Sequence, residues 1–166
     1  MRTTANVYMP YPPIRTEGKN PAYAQLMLCD MGGANSEMTA VSLYLYNMFI
    51  TAGEDELSAL YHDMAQAEMR HLEIFGRLAF ELGADPRLWE RRNRTMTYWS
   101  PACLYYPAEA RAMLKNSLRG ELSAIEKYER QLSEIKDRYI ADILERILID
   151  ERIHADMFKR FLERRR

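Results

Sequence analysis

The amino-acid sequence predicts an all-α fold, a four-helix bundle in which a long crossover joins the second and third helices. Three observations support this prediction. Four segments repeat apolar residues every three or four positions, which is the spacing of a buried helix face. Short turns separate the first two and the last two segments, as in antiparallel neighbours, whereas residues 84–106 separate the middle two. Each apolar stripe also contains a glutamate.

The first helix is expected from Pro21 to about Thr51. Asn20 can cap its N-terminus, and proline fits the first helical position, where its missing N–H costs nothing. Gly53 is expected to break this helix. Residues 1–20 are rich in proline and are predicted to form an extended arm. The predicted organisation is therefore an arm over residues 1–20 and one bundle over residues 21–166.

The other three helices follow from similar boundary signals. Acidic residues 54–56 favour the start of the second helix, which is expected to end near Leu82 before Gly83. The aromatic crossover over residues 84–106 ends at Pro107, which opens the third helix. The fourth helix is expected to begin after a turn near Asp137 and to continue to the C-terminus.

The apolar stripes contain charged residues at positions where only apolar ones are expected. Carboxylates are rarely buried unless they are paired or bind a metal. Four of them in one core would repel each other and raise each other's pKa. Two divalent cations would remove this conflict. The candidate metal ligands are Glu37, Glu68, His71, Glu121, Glu151 and His154.

An internal repeat supports the same six residues. Glu37-Met38-Thr39-Ala40-Val41 resembles Glu121-Leu122-Ser123-Ala124-Ile125, and an E-x-x-H motif follows in each half. The first glutamate precedes its motif by 31 positions in one half and by 30 in the other. Residues three apart share a helix face, so each E-x-x-H can reach one metal. Two such helix hairpins around a pseudo-twofold axis would supply six ligands for two metals.

A tyrosine follows the first glutamate of each half by seven positions, namely Tyr44 and Tyr128. Two interpretations are open for this pair. The tyrosines could donate hydrogen bonds to ligand carboxylates, which would make them part of the catalytic machinery. They could equally be core aromatics whose hydroxyls reach any available acceptor.

At these motifs the sequence resembles the ferritin-like superfamily, whose di-iron and di-manganese members use this constellation. The resemblance is greatest to manganese catalase and its short relatives among spore-coat proteins. It is carried by Asn20-Pro21, by Gly32-Gly33 ahead of Glu37-Met38-Thr39-Ala40, and by Gly120-Glu121-Leu122-Ser123-Ala124. It covers about residues 20–83 and 107–163. The crossover is shorter than in manganese catalase, and no extension follows the bundle.

Rubrerythrin, a di-iron peroxidase, is the second candidate by resemblance. Rubrerythrin normally carries an extra glutamate three residues after the third-helix ligand, where this chain has Ala124. Its usual rubredoxin-like domain holds iron with four cysteines, whereas this chain has only Cys29 and Cys103. The two cysteines are expected to be free thiols.

The resemblance implies two metal ions per chain, manganese or iron, which also suit mixed histidine and carboxylate ligands. It implies hydrogen peroxide or dioxygen as the substrate, with catalase-like or peroxidase chemistry and, for a peroxidase, an external electron donor. Two alternatives remain open. The protein could be a ferritin-like protein that binds or oxidises iron, or a structural protein of the spore coat with a metal site.

Composition limits the partners. The length of 166 residues suits one domain, and a net charge of −1 gives no general attraction to nucleic acids or membranes. The N-terminus has no apolar core of signal-peptide length, and the longest apolar stretch, Met38 to Ile50, is too short to span a membrane, so a cytoplasmic location is expected. The crossover is too aromatic for a free loop and is expected to pack on the bundle or on a second subunit. Together with the arm it predicts a homo-oligomer. Its aromatic residues are Trp89, Tyr98, Trp99, Tyr105 and Tyr106.

Overall fold

The structure is a computed structural model that describes residues 9–165, apart from the side chain of Arg92. Five α-helices and one β-hairpin make up the fold. The elements are α1 (Pro21–Gly32), α2 (Glu37–Ile50), α3 (Asp55–Glu81), β1 (Trp89–Arg92), β2 (Thr95–Tyr98), a short 3-10 helix (Pro101–Cys103), α4 (Ala110–Glu134) and α5 (Arg138–Arg164).

The four-helix bundle is confirmed. Helix α2 packs against α3, α4 packs against α5, and α1 extends the first bundle helix along α3. The crossover from α3 to α4 runs between the two hairpins, as the connection lengths predict. Helix α4 begins at Ala110, three residues after the predicted start at Pro107. Within residues 9–165, no helix combines the length and the apolar character that a membrane span requires.

The prediction of one continuous first helix from Pro21 to Thr51 is wrong. The Asn20 side chain caps α1, but the backbone leaves the helix at Gly33 and re-enters it after Ser36, whose hydroxyl caps α2. The β-hairpin packs closely against the end of α1. A Cβ on Gly32 would lie 2.8 Å from the Cα of Leu88, and a Cβ on Gly33 would lie 2.8 Å from Oε2 of Glu90, so both positions need glycine. The break places Glu37 in the first turn of α2.

The crossover is more ordered than the predicted linker. Strands β1 and β2 pair antiparallel, and Asn93 and Arg94 form the turn with φ angles of 46° and 69°, as in a type I′ hairpin. The Trp99 indole N–H donates a hydrogen bond of 3.0 Å to the Thr39 hydroxyl of α2. The crossover therefore packs on its own bundle. The side chains of Tyr98, Tyr105 and Tyr106 nevertheless remain exposed.

The described part of the arm also folds back on its own bundle. Tyr11 and Ile14 pack against the core, and the backbone N–H of Glu17 donates to the Asp137 carboxylate at 2.7 Å. Residues 1–8 of the predicted arm lie outside the described residues. Tyr11 thus packs on its own bundle and does not support an interface with a second subunit.

Two apolar clusters fill the bundle on either side of a polar middle layer. One cluster packs Met27, Phe75 and Leu144 at one end, and the other packs Leu57, Tyr61 and Phe158 at the other end. On α3 and α5 the sequence passes from one cluster to the other through the E-x-x-H motifs. The burial of these apolar side chains fixes the backbone on both sides of the charged layer, which therefore sits on rigid elements.

Candidate metal centre

The six predicted ligand residues meet in the middle layer. Glu37 comes from α2, Glu121 comes from α4, and the two E-x-x-H motifs come from α3 and α5. The side chains of His71 and His154 are fully buried, and the four glutamates are at most 3% exposed. The sequence therefore identifies every member of this cluster, and the structure brings all of them together.

The cluster divides into two groups that share two carboxylates. Glu37 and His71 belong to one group, Glu121 and His154 belong to the other, and Glu68 and Glu151 belong to both. Within each group the potential ligand atoms all lie within 4.8 Å of one another. Glu68 and Glu151 are therefore the two carboxylates that lie within reach of both groups.

Both histidines turn their Nδ1 atoms toward the carboxylates. Nδ1 of His71 lies 2.8 Å from Oε2 of Glu68 and 3.0 Å from Oε1 of Glu151. Nδ1 of His154 lies 3.0 Å from Oε1 of Glu68 and 3.5 Å from Oε2 of Glu121. Each histidine thus faces the opposite helix hairpin as well as its own.

Burial and neighbouring charges shift the pKa values of the four glutamates in opposite directions. Burial raises the pKa of Glu37 and Glu121 well above the usual range, and the charges of Glu68 and Glu151 raise it further. Burial also acts on Glu68 and Glu151, but contacts with the two histidines outweigh it and leave the pKa of both lowered. The repulsion among buried carboxylates is the conflict that the sequence predicts.

The donor set fits a pair of divalent cations. Four carboxylates with neutral histidines carry four negative charges, which two divalent ions would balance. Oxygen and imidazole donors suit manganese or iron, whereas calcium prefers oxygen alone and structural zinc prefers cysteine and histidine. The residues present therefore fit the metal pair that the sequence predicts.

Tyr44 and Tyr128 are both buried and both donate hydrogen bonds to candidate ligands. The Tyr44 hydroxyl donates to Oε1 of Glu121, and the Tyr128 hydroxyl donates to Oε1 of Glu37. Each bond joins the two helix hairpins, so a tyrosine contacts the glutamate of the other half and not the one seven residues before it. Burial raises the pKa of both phenols well above the usual value, and the glutamate charges add to this, so the phenols keep their protons.

A second polar layer behind His71 was not anticipated from the sequence. Nε2 of His71 lies 3.0 Å from the Tyr11 hydroxyl, which donates to the Asp150 carboxylate. Nη1 of Arg146 lies 2.6 Å from the same carboxylate. Arg146 and Asp150 are four residues apart on α5, which is a spacing that could have revealed the pair. No sequence pattern connects Tyr11 to either residue.

A second ion pair attaches the segment between α1 and α2 to helix α4. Nζ of Lys127 lies 2.9 Å from the Asp30 carboxylate and donates to the backbone carbonyl of Asn35 at 2.9 Å. The Gln131 amide donates to the same carboxylate of Asp30 at 3.0 Å. Because Asn35 lies just before Glu37, this pair holds the first turn of α2 in place.

A cavity of about 370 Å³ connects the centre to the surface between α2 and α4. Its wall includes Tyr44, Tyr128 and all four glutamates of the cluster. Neither histidine is among the described residues that line it. A small molecule would therefore approach from the side of the glutamates, while the layer of Tyr11 and Asp150 lies behind His71.

The comparisons with known proteins agree with this architecture. The rubrerythrin family model matches residues 33–163. A probable manganese catalase of Clostridium acetobutylicum is 24% identical over 169 residues, which covers 91% of this chain and 75% of that protein. The structure of KatB, a manganese catalase from Anabaena, superimposes with a TM-score of 0.81 at 23% identity and covers 95% of this chain and 78% of that one.

The bacterioferritin BfrA of Mycobacterium tuberculosis has the same fold, with a TM-score of 0.72 at 21% identity over 88% of this chain and 87% of that one. The predicted ferritin-like fold is thus confirmed. The family match covers residues 33–163 of a 166-residue chain and includes all six candidate ligands. The chain belongs to the rubrerythrin family.

Proposed function

We propose that this protein decomposes hydrogen peroxide at a centre of two manganese or iron ions. The single observation that carries the proposal is the pair of buried carboxylate–histidine groups that share Glu68 and Glu151. Such a pair of redox-active ions supplies the two electrons that cleavage of a peroxide O–O bond requires. The relatives described as manganese catalases support this chemistry.

The protein's own residues have separate roles in this proposal. Glu37 and His71 would hold one ion, Glu121 and His154 would hold the other, and Glu68 and Glu151 would contribute to both, because they belong to both groups. Tyr44 and Tyr128 hold the unshared glutamates through hydrogen bonds that cross the bundle. Tyr11 and Asp150 fix the ring of His71 so that Nδ1 faces the centre.

The cavity between α2 and α4 gives substrate a path to the four glutamates, which all line it. The tyrosines beside them keep their protons, because burial and the nearby carboxylates raise the pKa of both phenols.

The test uses protein loaded with manganese or with iron under anaerobic conditions. Oxygen release from peroxide without a reductant indicates a catalase, and peroxide loss only with an added electron donor indicates a peroxidase. Glu121→Gln should abolish either activity, while the exposed Glu126→Gln on the same helix should retain it. If neither metal form consumes peroxide, the proposal is wrong, and oxidation of added Fe(II) would then favour an iron-handling protein.

We also propose that the protein forms a homo-oligomer. The exposed rings of Tyr106 and Tyr105 lie in the crossover, and the ring of Tyr106 lies 4.4 Å from that of Tyr46 on α2. Phe49 and Ile50 are also exposed at the end of α2. Aromatic residues of this kind are enriched at interfaces. Sedimentation equilibrium should give a mass above 19.5 kDa, and a monomer at micromolar concentration would contradict the proposal.

A further inference from the structure

The cavity between α2 and α4 is far larger than hydrogen peroxide requires. Its volume is about 370 Å³. One water molecule needs only about 10–15 Å³ on the same measure, and hydrogen peroxide needs roughly twice that. The cavity is lined on one side by the four glutamates of the candidate centre and on another by crossover residues such as Leu104 and Tyr105. A substrate with an organic group of several carbon atoms would therefore fit between the candidate centre and solvent.

The walls of the cavity suit such a group. Ala40, Leu43, Leu104 and Ala124 contribute apolar surface. Two cations also line the cavity, and both have partners. Lys127 is engaged with Asp30 and the Asn35 carbonyl, and Arg119 donates a hydrogen bond of 2.6 Å to the Asn116 side chain. The apolar group of a small substrate could thus be buried in the cavity while the polar end of the same molecule reaches the carboxylates.

Gly120 provides an independent reason to regard this space as functional. It lies inside α4, next to Glu121, and it lines the cavity. Outside its own helical turn, a Cβ at this position would meet no heavy atom of residues 9–165 within 4 Å. Neither close packing nor a positive φ requires glycine here, although glycine inside a helix costs about 1 kcal/mol relative to alanine. Its effect on the molecule is to keep the cavity wide beside the centre.

We propose that the protein also reduces small organic hydroperoxides, which bind with their organic group in this cavity. This inference rests on the proposed function. In the reaction the O–O bond of ROOH breaks, two electrons and two protons are taken up, and the alcohol ROH and water are released. A small-molecule reductant such as ascorbate supplies the two electrons in the assay.

The first experiment compares hydrogen peroxide, tert-butyl hydroperoxide and cumene hydroperoxide with metal-loaded protein and ascorbate, and measures the alcohol formed. Gly120→Leu should narrow the cavity and lower the ratio of kcat/KM for cumene hydroperoxide to that for hydrogen peroxide at least tenfold. Gly120→Ala should have a smaller effect. Ser133→Leu, at an exposed position of α4 outside the cavity lining, is the matched control and should leave the ratio unchanged.

The outcomes separate this inference from the proposed function. If the protein turns over hydrogen peroxide but neither organic hydroperoxide, the inference alone is overturned. The same holds if Gly120→Leu leaves the ratio of the two kcat/KM values unchanged. Failure with all three peroxides overturns both proposals.

A second experiment does not depend on turnover. Binding of cumyl alcohol, the unreactive product, is followed by saturation-transfer NMR on the folded protein. Wild type should bind it and Gly120→Leu should bind it at least tenfold more weakly, with circular dichroism confirming that the variant is folded. Lack of binding to wild type, or equal binding to both proteins, contradicts the inference.

Discussion

The Tyr128 hydroxyl donates a hydrogen bond to Oε1 of Glu37, a residue 91 positions earlier in the chain. The Tyr44 hydroxyl makes the equivalent bond to Glu121. Together the two bonds join α2 to α4 across the candidate centre. The two tyrosines thus contact only the unshared glutamates, Glu37 and Glu121. The shared glutamates, Glu68 and Glu151, contact the histidines. The pseudo-twofold symmetry of the sequence is therefore visible in the hydrogen bonds.

Removing this bond should weaken metal binding. Tyr128→Phe leaves the ring in the core but takes away the donor to Glu37, so we expect metal affinity to fall about 10–100-fold. Tyr44→Phe should have a similar effect through Glu121. A competition titration with a chromophoric chelator measures this, and Tyr46→Phe, a tyrosine that lies near Tyr106 outside the cluster, is the control. Equal metal affinity in wild type and the three variants would show that the hydroxyls of Tyr44 and Tyr128 do not contribute to metal binding.

The layer behind His71 should contribute to stability. Asp150→Asn removes a fully buried carboxylate that contacts Arg146, Tyr11 and His71. Loss of one partner from a buried ion pair typically costs about 3–5 kcal/mol. Denaturant unfolding of the metal-free protein measures the change. The exposed Asp142→Asn on the same helix is the matched control, and a loss no larger than that of this control would contradict the assignment.

Much of the site follows from the sequence, because helix periodicity fixes which side chains share a face. The six candidate ligands lie at stripe positions, and the repeat distinguishes them from chance E-x-x-H matches. The partners of Tyr44 and Tyr128 could not be assigned, since they lie on the other hairpin and their choice depends on packing between helices. The contact of Tyr11 with His71 could not be predicted, because the arm is irregular and has no repeating spacing of residues.

The break in the first helix has a local signal that the prediction missed. Gly32-Gly33 is a dipeptide typical of turns, and Ser36 is a favoured N-cap residue for a new helix. The contact that requires glycine there could not be predicted. The β-hairpin that packs on Gly32 and Gly33 is formed by residues more than fifty positions later, and a contact so distant in sequence cannot be read from local patterns.

Two of the helical glycines, Gly32 and Gly120, should respond to alanine in opposite ways. Gly32→Ala places a Cβ about 2.8 Å from the backbone of Leu88, so the hairpin must shift and we expect a loss of about 1–3 kcal/mol. Gly120→Ala enters open space and should raise the free energy of unfolding by up to about 1 kcal/mol. Urea titrations of both variants check this pair. A stabilised Gly32→Ala protein would contradict the close contact between α1 and the hairpin.

The two thiols should differ in reactivity. Burial, and next the charge of Asp30, raise the pKa of Cys29 to about 11, whereas the Cys103 side chain is exposed. At pH 8 only about one in a thousand Cys29 side chains is then a thiolate. An aromatic disulfide reagent should modify one thiol quickly in the native protein and two after unfolding. Rapid modification of both thiols in the native state would contradict the burial of Cys29.

The same thiol gives a pH dependence of stability. The pKa of an unfolded cysteine is near 8.5, and the folded value for Cys29 is about 11. Between these values the unfolded chain releases a proton that the folded chain retains, so rising pH favours unfolding. Cys29→Ser should therefore lose stability less steeply than wild type between pH 8.5 and 11. Parallel pH profiles for wild type and Cys29→Ser would contradict this assignment.

The metal content of the purified chain tests the central claim most directly. After anaerobic loading and gel filtration, elemental analysis should find two manganese or iron ions per wild-type chain. Because Glu68 belongs to both groups and Glu121 to one, Glu68→Ala should lose both ions, while Glu121→Ala should lose at least one and stay helical. Wild-type protein that retains no metal, or a Glu68→Ala variant that retains two ions, would contradict the shared centre.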